Sequence, residues 1–166
     1  AWKLAMAQRG LAGPGLLPSY GAERVAAARE IVAEAGKSTR FMAPPTRGFR
    51  LVRDAVLSLS LRHEFVRPLY HWRTSRPHDH RDSPLNTGPA GDPLPDLKLA
   101  EGDHLLARLS DGAFALLSAA PRPDLAPVLD TWAARGLKTA ALAHPALARL
   151  GLAGEGAWLV RPDQHV

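Results

Sequence analysis

The densest set of side chains able to do chemistry lies between His71 and Asp82. His78, Asp79 and His80 are consecutive, Asp82 follows closely, and His71 precedes them. Imidazole and carboxylate groups together suit a divalent cation. The spacing argues against a ready-made site. His78 and His80 stand two apart in a Pro-flanked stretch, with no His-Glu-x-x-His pattern to place two imidazoles on one helix face. The stretch reads as a solvated connector. Nucleophilic catalysis finds no support, because Ser58, Ser60, Ser75, Ser83, Ser110 and Ser118 all lack a Gly-x-Ser-x-Gly setting. The run Gly151-Leu152-Ala153-Gly154-Glu155-Gly156 precedes an apolar strand and does not join a strand to a helix, so it is no dinucleotide fingerprint. Trp2, Trp72, Trp132 and Trp158 read as core or interface anchors. The residues themselves therefore name no catalytic, cofactor-binding or metal-binding group.

Composition bounds the remaining choices. The chain has 166 residues, 46% of them hydrophobic, enough for one ordinary domain or a small domain with a helical extension. The absence of cysteine excludes disulfides, thiolate metal sites and a redox Cys-x-x-Cys pair, and a reducing cytoplasm is the expected setting. No run of about 18 apolar residues occurs, so no membrane-spanning helix is expected. A net charge of +5 and a pI near 10.2 raise nucleic-acid binding as a rival function. The basic residues are densest from Arg47 to Arg81, where they interleave with a helical apolar pattern. That is how a solvated helix face followed by a basic loop reads.

The elements that must position these residues follow from periodicity and breakers. Residues 1–9 read as the end of a helix stopped at Gly10, and Gly13-Pro14-Gly15 is a break. Ser19 suits an N-cap and Glu23 the first turn of a helix over 20–41, in which Val25, Ala28, Val32 and Ala35 share a face. Pro44 and Pro45 end it. A third helix is expected over 49–67, with Val52, Val56, Leu59, Val66 and Tyr70 on one stripe and a kink or stop at Pro68. His63 lies on that stripe and reads as a helix-edge residue. Residues 73–95 read as a linker. Beyond it, strands are expected at Leu97–Leu99, Phe114–Leu117, Leu137–Leu142 and Ala157–Val160. A helix falls at Asp124–Ala134, with Leu125, Val128, Leu129 and Trp132 on one face, and a short one at Pro145–Leu150. The order strand–helix–strand, then a hairpin, is an α/β pattern with a mixed sheet. The Arg161-Pro162-Asp163-Gln164 turn needs positive φ at its last residue if it is a bulged hairpin. Gln164 should then be strained, and Gln164→Gly should stabilise the domain by roughly 1 kcal/mol.

Six short stretches of sequence resemble one family. Ala1-Trp2-Lys3-Leu4-Ala5, followed by Leu16-Leu17-Pro18-Ser19-Tyr20 and Glu23-Arg24, is similar to the stretch after the flavin-binding core of class A FAD-dependent aromatic monooxygenases. Ser83-Pro84-Leu85, Pro95-Asp96-Leu97 and Leu159-Val160-Arg161-Pro162-Asp163 are similar to the thioredoxin-like C-terminal domain of the longer members, the phenol-hydroxylase-like and polyketide-hydroxylase enzymes. Where the family commonly has Gly, this chain has Gln164. The resemblance implies a helical segment of the FAD/substrate catalytic core over 1–72, the linker 73–95, and a thioredoxin-like domain over 96–166 without redox Cys. Both ends read as cut from something larger. The head opens in mid-helix, and the tail stops as a second extended run begins.

The resemblance further implies an enzyme that hydroxylates an aromatic or polyketide substrate with FAD and NAD(P)H, this part being structural and inactive alone. The family's cofactor and catalytic motifs would all lie upstream of Ala1, so no site residue carries over. Expected partners are an aromatic small molecule in the complete enzyme and a further copy of the chain, with no nucleic acid and no membrane. The rivals are a stand-alone Cys-less thioredoxin-like interaction module and a basic nucleic-acid binder.

Overall fold

The computed structural model describes residues 1–70, 77–86 and 90–166. The element order is α1 Trp2–Gln8, α2 Leu16–Met42, α3 Arg47–Ser60, β1 Lys98–Ala100, β2 Asp103–His104, α4 Leu105–Arg108, β3 Phe114–Ser118, α5 Ala126–Ala134, β4 Thr139–Ala143 and β5 Ala157–Val160. Single 3-10 turns lie at Glu64–Leu69, Pro123–Leu125 and Pro145–Leu150. The chain divides into two compact units, one of residues 1–23 with 78–166 and one of residues 24–77.

The first unit is an α/β fold on a mixed sheet of order β4-β3-β5. β3 pairs parallel with β4, Phe114 facing Thr139, and antiparallel with β5, Ala115 facing Val160. A parallel neighbour requires a crossover, and α5 supplies it. As the central strand, β3 is the compact apolar run, with Ala115 and Leu117 fully buried. The core gathers Leu94, Leu97, Leu105, Leu109, Leu147, Leu152 and Val160 around them. β1 and β2 form a separate small hairpin. α1 belongs to this unit: Arg9 donates to the Gly136 carbonyl at 2.9 Å, and the Trp2 ring meets Phe114 edge-on at 5.5 Å. Phe114 in turn meets Trp132 edge-on at 5.7 Å.

The expected linker 73–95 does not hang free over its described part. Residues 78–86 and 90–95 belong to the first unit. Leu94 lies in the core, and the Asn86 amide donates to the carbonyls of His80, Arg81 and Ala90. Gly91 closes the loop: its N–H donates to the Val166 carbonyl and its own carbonyl accepts from His80 N–H, both at 2.6 Å. Gly91 has φ of +99°, and a Cβ there would sit 2.4 Å from the His80 oxygen, so this approach requires glycine.

The second unit is helical. α3 is capped by Thr46, whose hydroxyl accepts from Phe49 N–H, and it stops at Ser60 instead of continuing to 67. Arg62 and His63 N–H both return to the Leu59 carbonyl, and Glu64–Leu69 re-forms as a 3-10 turn holding Pro68. His63 is exposed at the start of that turn and its ring contacts Phe65. α2 also starts earlier than expected, at Leu16. Pro18 fits its first turn, where no intrahelical N–H is needed. Ser19 is therefore not the N-cap, and Glu23 lies in the second turn.

Candidate functional site: a buried cluster of opposite charges

Four charged side chains meet inside the first unit. Lys3 comes from α1, Glu23 from α2, and Arg161 and Asp163 from the turn after β5. Lys3 is 2% exposed and Glu23 6%. Lys3 Nζ stands 2.6 Å from Glu23 Oε2 and donates to Ser19 Oγ at 2.7 Å. Ser19 passes its own proton to the Leu16 carbonyl. Arg161 grips Glu23 with both terminal nitrogens, at 2.9 and 3.0 Å, and its Nε and one terminal nitrogen reach Asp163. Such forked guanidinium–carboxylate contacts fix orientation as well as charge. Ser83 Oγ donates to Glu23 Oε1, and Trp2 Nε1 donates to Asp163 Oδ2 at 2.7 Å. The Trp2 ring lies 5.3 Å from the Arg161 guanidinium and 5.6 Å from Lys3 Nζ, within cation–π range of both.

Electrostatics closes this set. Burial works to raise the Glu23 carboxyl, but the hydrogen bonds from Arg161, Lys3 and Ser83 outweigh it and hold it at about 2. Burial likewise opposes ionisation of Asp163, and the hydrogen bonds from His165, Trp2 and Arg161 still hold it well below the usual range. Burial pulls the Lys3 ammonium down, against its hydrogen bond to Glu23. Burial also works against Arg161, whose value is raised nonetheless by Glu23 and Asp163. Two cations and two anions sum to neutrality. A carboxylate this saturated with donors takes no proton at neutral pH, so Glu23 is no general base. Nor does the group expose a nucleophile. What it can do is join three segments distant in sequence.

A histidine cluster adjoins it. His165 Nε2 donates to the His78 carbonyl at 2.9 Å, and its Nδ1 lies 3.0 Å from the Asp163 carbonyl. The His80 ring stacks on His165 at 4.4 Å between centroids and meets His78 edge-on at 5.5 Å. His80 is 8% exposed, and its Nδ1 has no hydrogen-bond partner among the described residues. Burial, and after it the His165 charge, lower the His80 imidazole. Burial also works to lower His165, but Asp163 and the two carbonyls leave it raised. A small apolar cleft of about 280 Å³ opens beside the charges, lined by Trp2, Leu16, Phe114, Leu159 and Arg161 among others.

The turn at the centre has the bulged form. Gln164 N–H returns to the Arg161 carbonyl at 2.9 Å and Arg161 N–H donates to the His165 carbonyl at 2.8 Å. Gln164 is the one non-glycine residue with positive φ among those described, at 61°. The strain has a compensation that turn chemistry did not reveal. The Gln164 amide donates to the carbonyls of Leu106, at 3.0 Å, and Leu109, at 3.4 Å, at the end of α4. His165 then bridges Pro93 in antiparallel fashion.

Residues 87–166 match the family described as aromatic-ring hydroxylase, C-terminal. Solved structures of RebC, a rebeccamycin biosynthetic enzyme, match 99% of this chain. The form with reduced flavin is 27% identical at a TM-score of 0.66, and 35% of its length is covered. The chromopyrrolic acid-soaked form with bound 7-carboxy-K252c is 28% identical at 0.63, with the same 35% covered. The substrate-free form is 27% identical at 0.56, with 33% covered. The chain thus spans about a third of the length of these structures. No curated protein matches it. Arg161 and Asp163 lie within the matched segment, whereas Trp2, Lys3, Ser19 and Glu23 lie before it. The charge cluster joins the two parts.

Of the residues read from the sequence as candidate metal ligands, His78 and His80 stay in ring contact, and the others differ in their surroundings. Asp82 is exposed, His80 is buried, and His71 lies outside the described residues, as does Trp72. The cluster's members were visible in the sequence as motif residues of the resemblance, but nothing marked their charges as paired.

Proposed function

We propose that this chain is the C-terminal part of a flavin-dependent aromatic hydroxylase and that its own contribution is structural. One observation carries the reading. The Trp2-Lys3 pair, the Ser19–Glu23 stretch and the Arg161–Asp163 turn, three separated motifs of the resemblance, close on a single neutral, donor-saturated cluster. Such a cluster sets the position of α1 and the start of α2 against the α/β sheet. The parallel β3–α5–β4 unit with antiparallel β5 supports a thioredoxin-like domain without redox function. FAD, reduced by NAD(P)H, would supply the oxygen chemistry in the complete enzyme. The side chains of the cluster orient and pack. The substrate would be an aromatic small molecule, and the setting the cytoplasm. The family match and the likeness to RebC with reduced flavin support this reading.

The test compares the 166-residue chain with the product of its whole gene. The short chain should purify colourless and should not take up added FAD. The whole product should carry flavin and consume NAD(P)H in the presence of an aromatic substrate. Stoichiometric flavin on the 166-residue chain, or a whole gene product without flavin, would overturn the proposal.

A further inference from the structure

We propose that His80, Asp163 and His165 form a divalent-cation site of the type that Zn²⁺ occupies. Each offers one ligand atom, and these atoms lie within 4.8 Å of one another. The residues come from two segments, 78–86 and the tail, that meet only in the folded unit.

The decisive group is His80. A buried ring nitrogen without a partner costs roughly 1–3 kcal/mol, and native structures seldom keep one without reason. His80 Nδ1 is such an atom, in a residue 92% removed from solvent. The same ring offers a ligand nitrogen within 4.8 Å of a carboxylate and a second imidazole. His165 already has the outer contact typical of a metal-bound histidine, its Nε2 donating to a backbone carbonyl, here that of His78. This leaves its Nδ1, 3.6 Å from Asp163 Oδ1, as the ligand atom. Asp163 Oδ2 is held by Trp2 and Arg161, while Oδ1 accepts only from Arg161 Nε among the described residues, at 3.1 Å, and keeps a lone pair for a further contact.

Two imidazoles and one carboxylate match the zinc donor set, with a fourth position open to water. Ca²⁺ and Mg²⁺ would require more oxygen ligands. Zinc bonds of about 2.0–2.1 Å place tetrahedral ligand atoms roughly 3.4 Å apart, so the Asp163–His165 pair, at 3.6 Å, is nearly in place and His80, within 4.8 Å, must close by no more than about 1.4 Å. Binding would release the proton that His165 Nδ1 holds toward the Asp163 carbonyl. The ion would tie residues 78–86 to the tail.

The experiment titrates Zn²⁺ into the metal-free 166-residue chain by calorimetry while ring-nitrogen chemical shifts are followed by NMR. One Zn²⁺ should bind per chain. Only the His80 and His165 rings, of the chain's seven histidines, should show the shifts of metal-bound nitrogen. His80→Ala should weaken binding at least about tenfold with an unchanged circular dichroism spectrum, while His104→Ala should leave it unchanged. The proposal falls if Zn²⁺ does not bind saturably, if His80→Ala changes affinity less than about twofold, or if other rings carry the shifts. The wild-type spectra decide the matter even if His80→Ala does not fold.

Discussion

Glu23→Gln tests the charge cluster most directly. The substitution keeps the size of the side chain and removes its charge. Lys3, 2% exposed, and Arg161, its side chain 10% exposed, then stay buried with only Asp163 to neutralise them. Stranding buried charge in this way costs about 3–5 kcal/mol. The titration behaviour leads to a similar figure. A carboxyl that ordinarily titrates at 4.5 and is held at about 2 in the folded chain contributes on the order of 3 kcal/mol. For a unit of this size that corresponds to a loss of roughly 10 °C or more in Tm. The pH window follows from the same numbers. The folded carboxyl titrates below the unfolded one, so between pH 4.5 and 2 the unfolded state binds more protons. The stabilisation is complete above 4.5 and is lost as pH falls toward 2. Asp163 is also held below its ordinary 3.8 and adds acid sensitivity of the same sign, so the difference between the two proteins is the quantity to read. Urea unfolding across that range should show wild type converging on Glu23→Gln as pH falls. Lys3→Met added to Glu23→Gln should recover part of the loss, because one stranded cation is gone. If Glu23→Gln costs less than about 1 kcal/mol at neutral pH, or if the difference between the proteins does not change between pH 4.5 and 2, the cluster is not closed as described.

Gln164→Gly relieves a positive φ but loses the amide bonds to Leu106 and Leu109. The net change in urea midpoint should therefore stay within about 1 kcal/mol, not the clear gain that turn chemistry alone suggests, while Gln164→Ala should lose about 1–2 kcal/mol. A clear stabilisation by Gly would mean that the amide contacts contribute nothing. Gly91→Ala should lower thermal stability by more than about 3 kcal/mol, because its Cβ would meet the His80 carbonyl at 2.4 Å and its φ is +99°. An unchanged melt would show that residues 78–86 are not held against the tail. Trp2→Phe keeps an aromatic ring beside Phe114 but removes the donor to Asp163. It should cost about 1–3 kcal/mol by chemical denaturation, and a neutral result would place the Asp163 carboxylate in the hands of Arg161 alone.

Local chemistry was readable wherever it was sufficient. Phe114 to Leu117 is short, wholly apolar and flanked by breakers, so it could be placed as the central strand before its neighbours were known. Pro145–Leu150 and Ala157–Val160 were bounded in the same way by Pro and Gly. The positive φ at Gln164 followed from Pro162 and Asp163, because a turn is decided within four residues. Where neighbours in space decide the outcome, the sequence misled or was silent. The Pro- and His-rich stretch 73–95 has the composition of a linker, yet Asn86, Gly91 and Leu94 build its described part into the first unit. Ser19 has the chemistry of a cap, but α2 begins before it and its hydroxyl serves Lys3. Nothing local marked Lys3, Glu23 or Arg161 for burial. Lys3 finds Ser19 16 positions away, and Arg161 finds Glu23 138 positions away. Only folding brings them close enough for the hydrogen bonds to offset the loss of water, and only folding leaves His80 Nδ1 buried beside Asp163 and His165 without a partner.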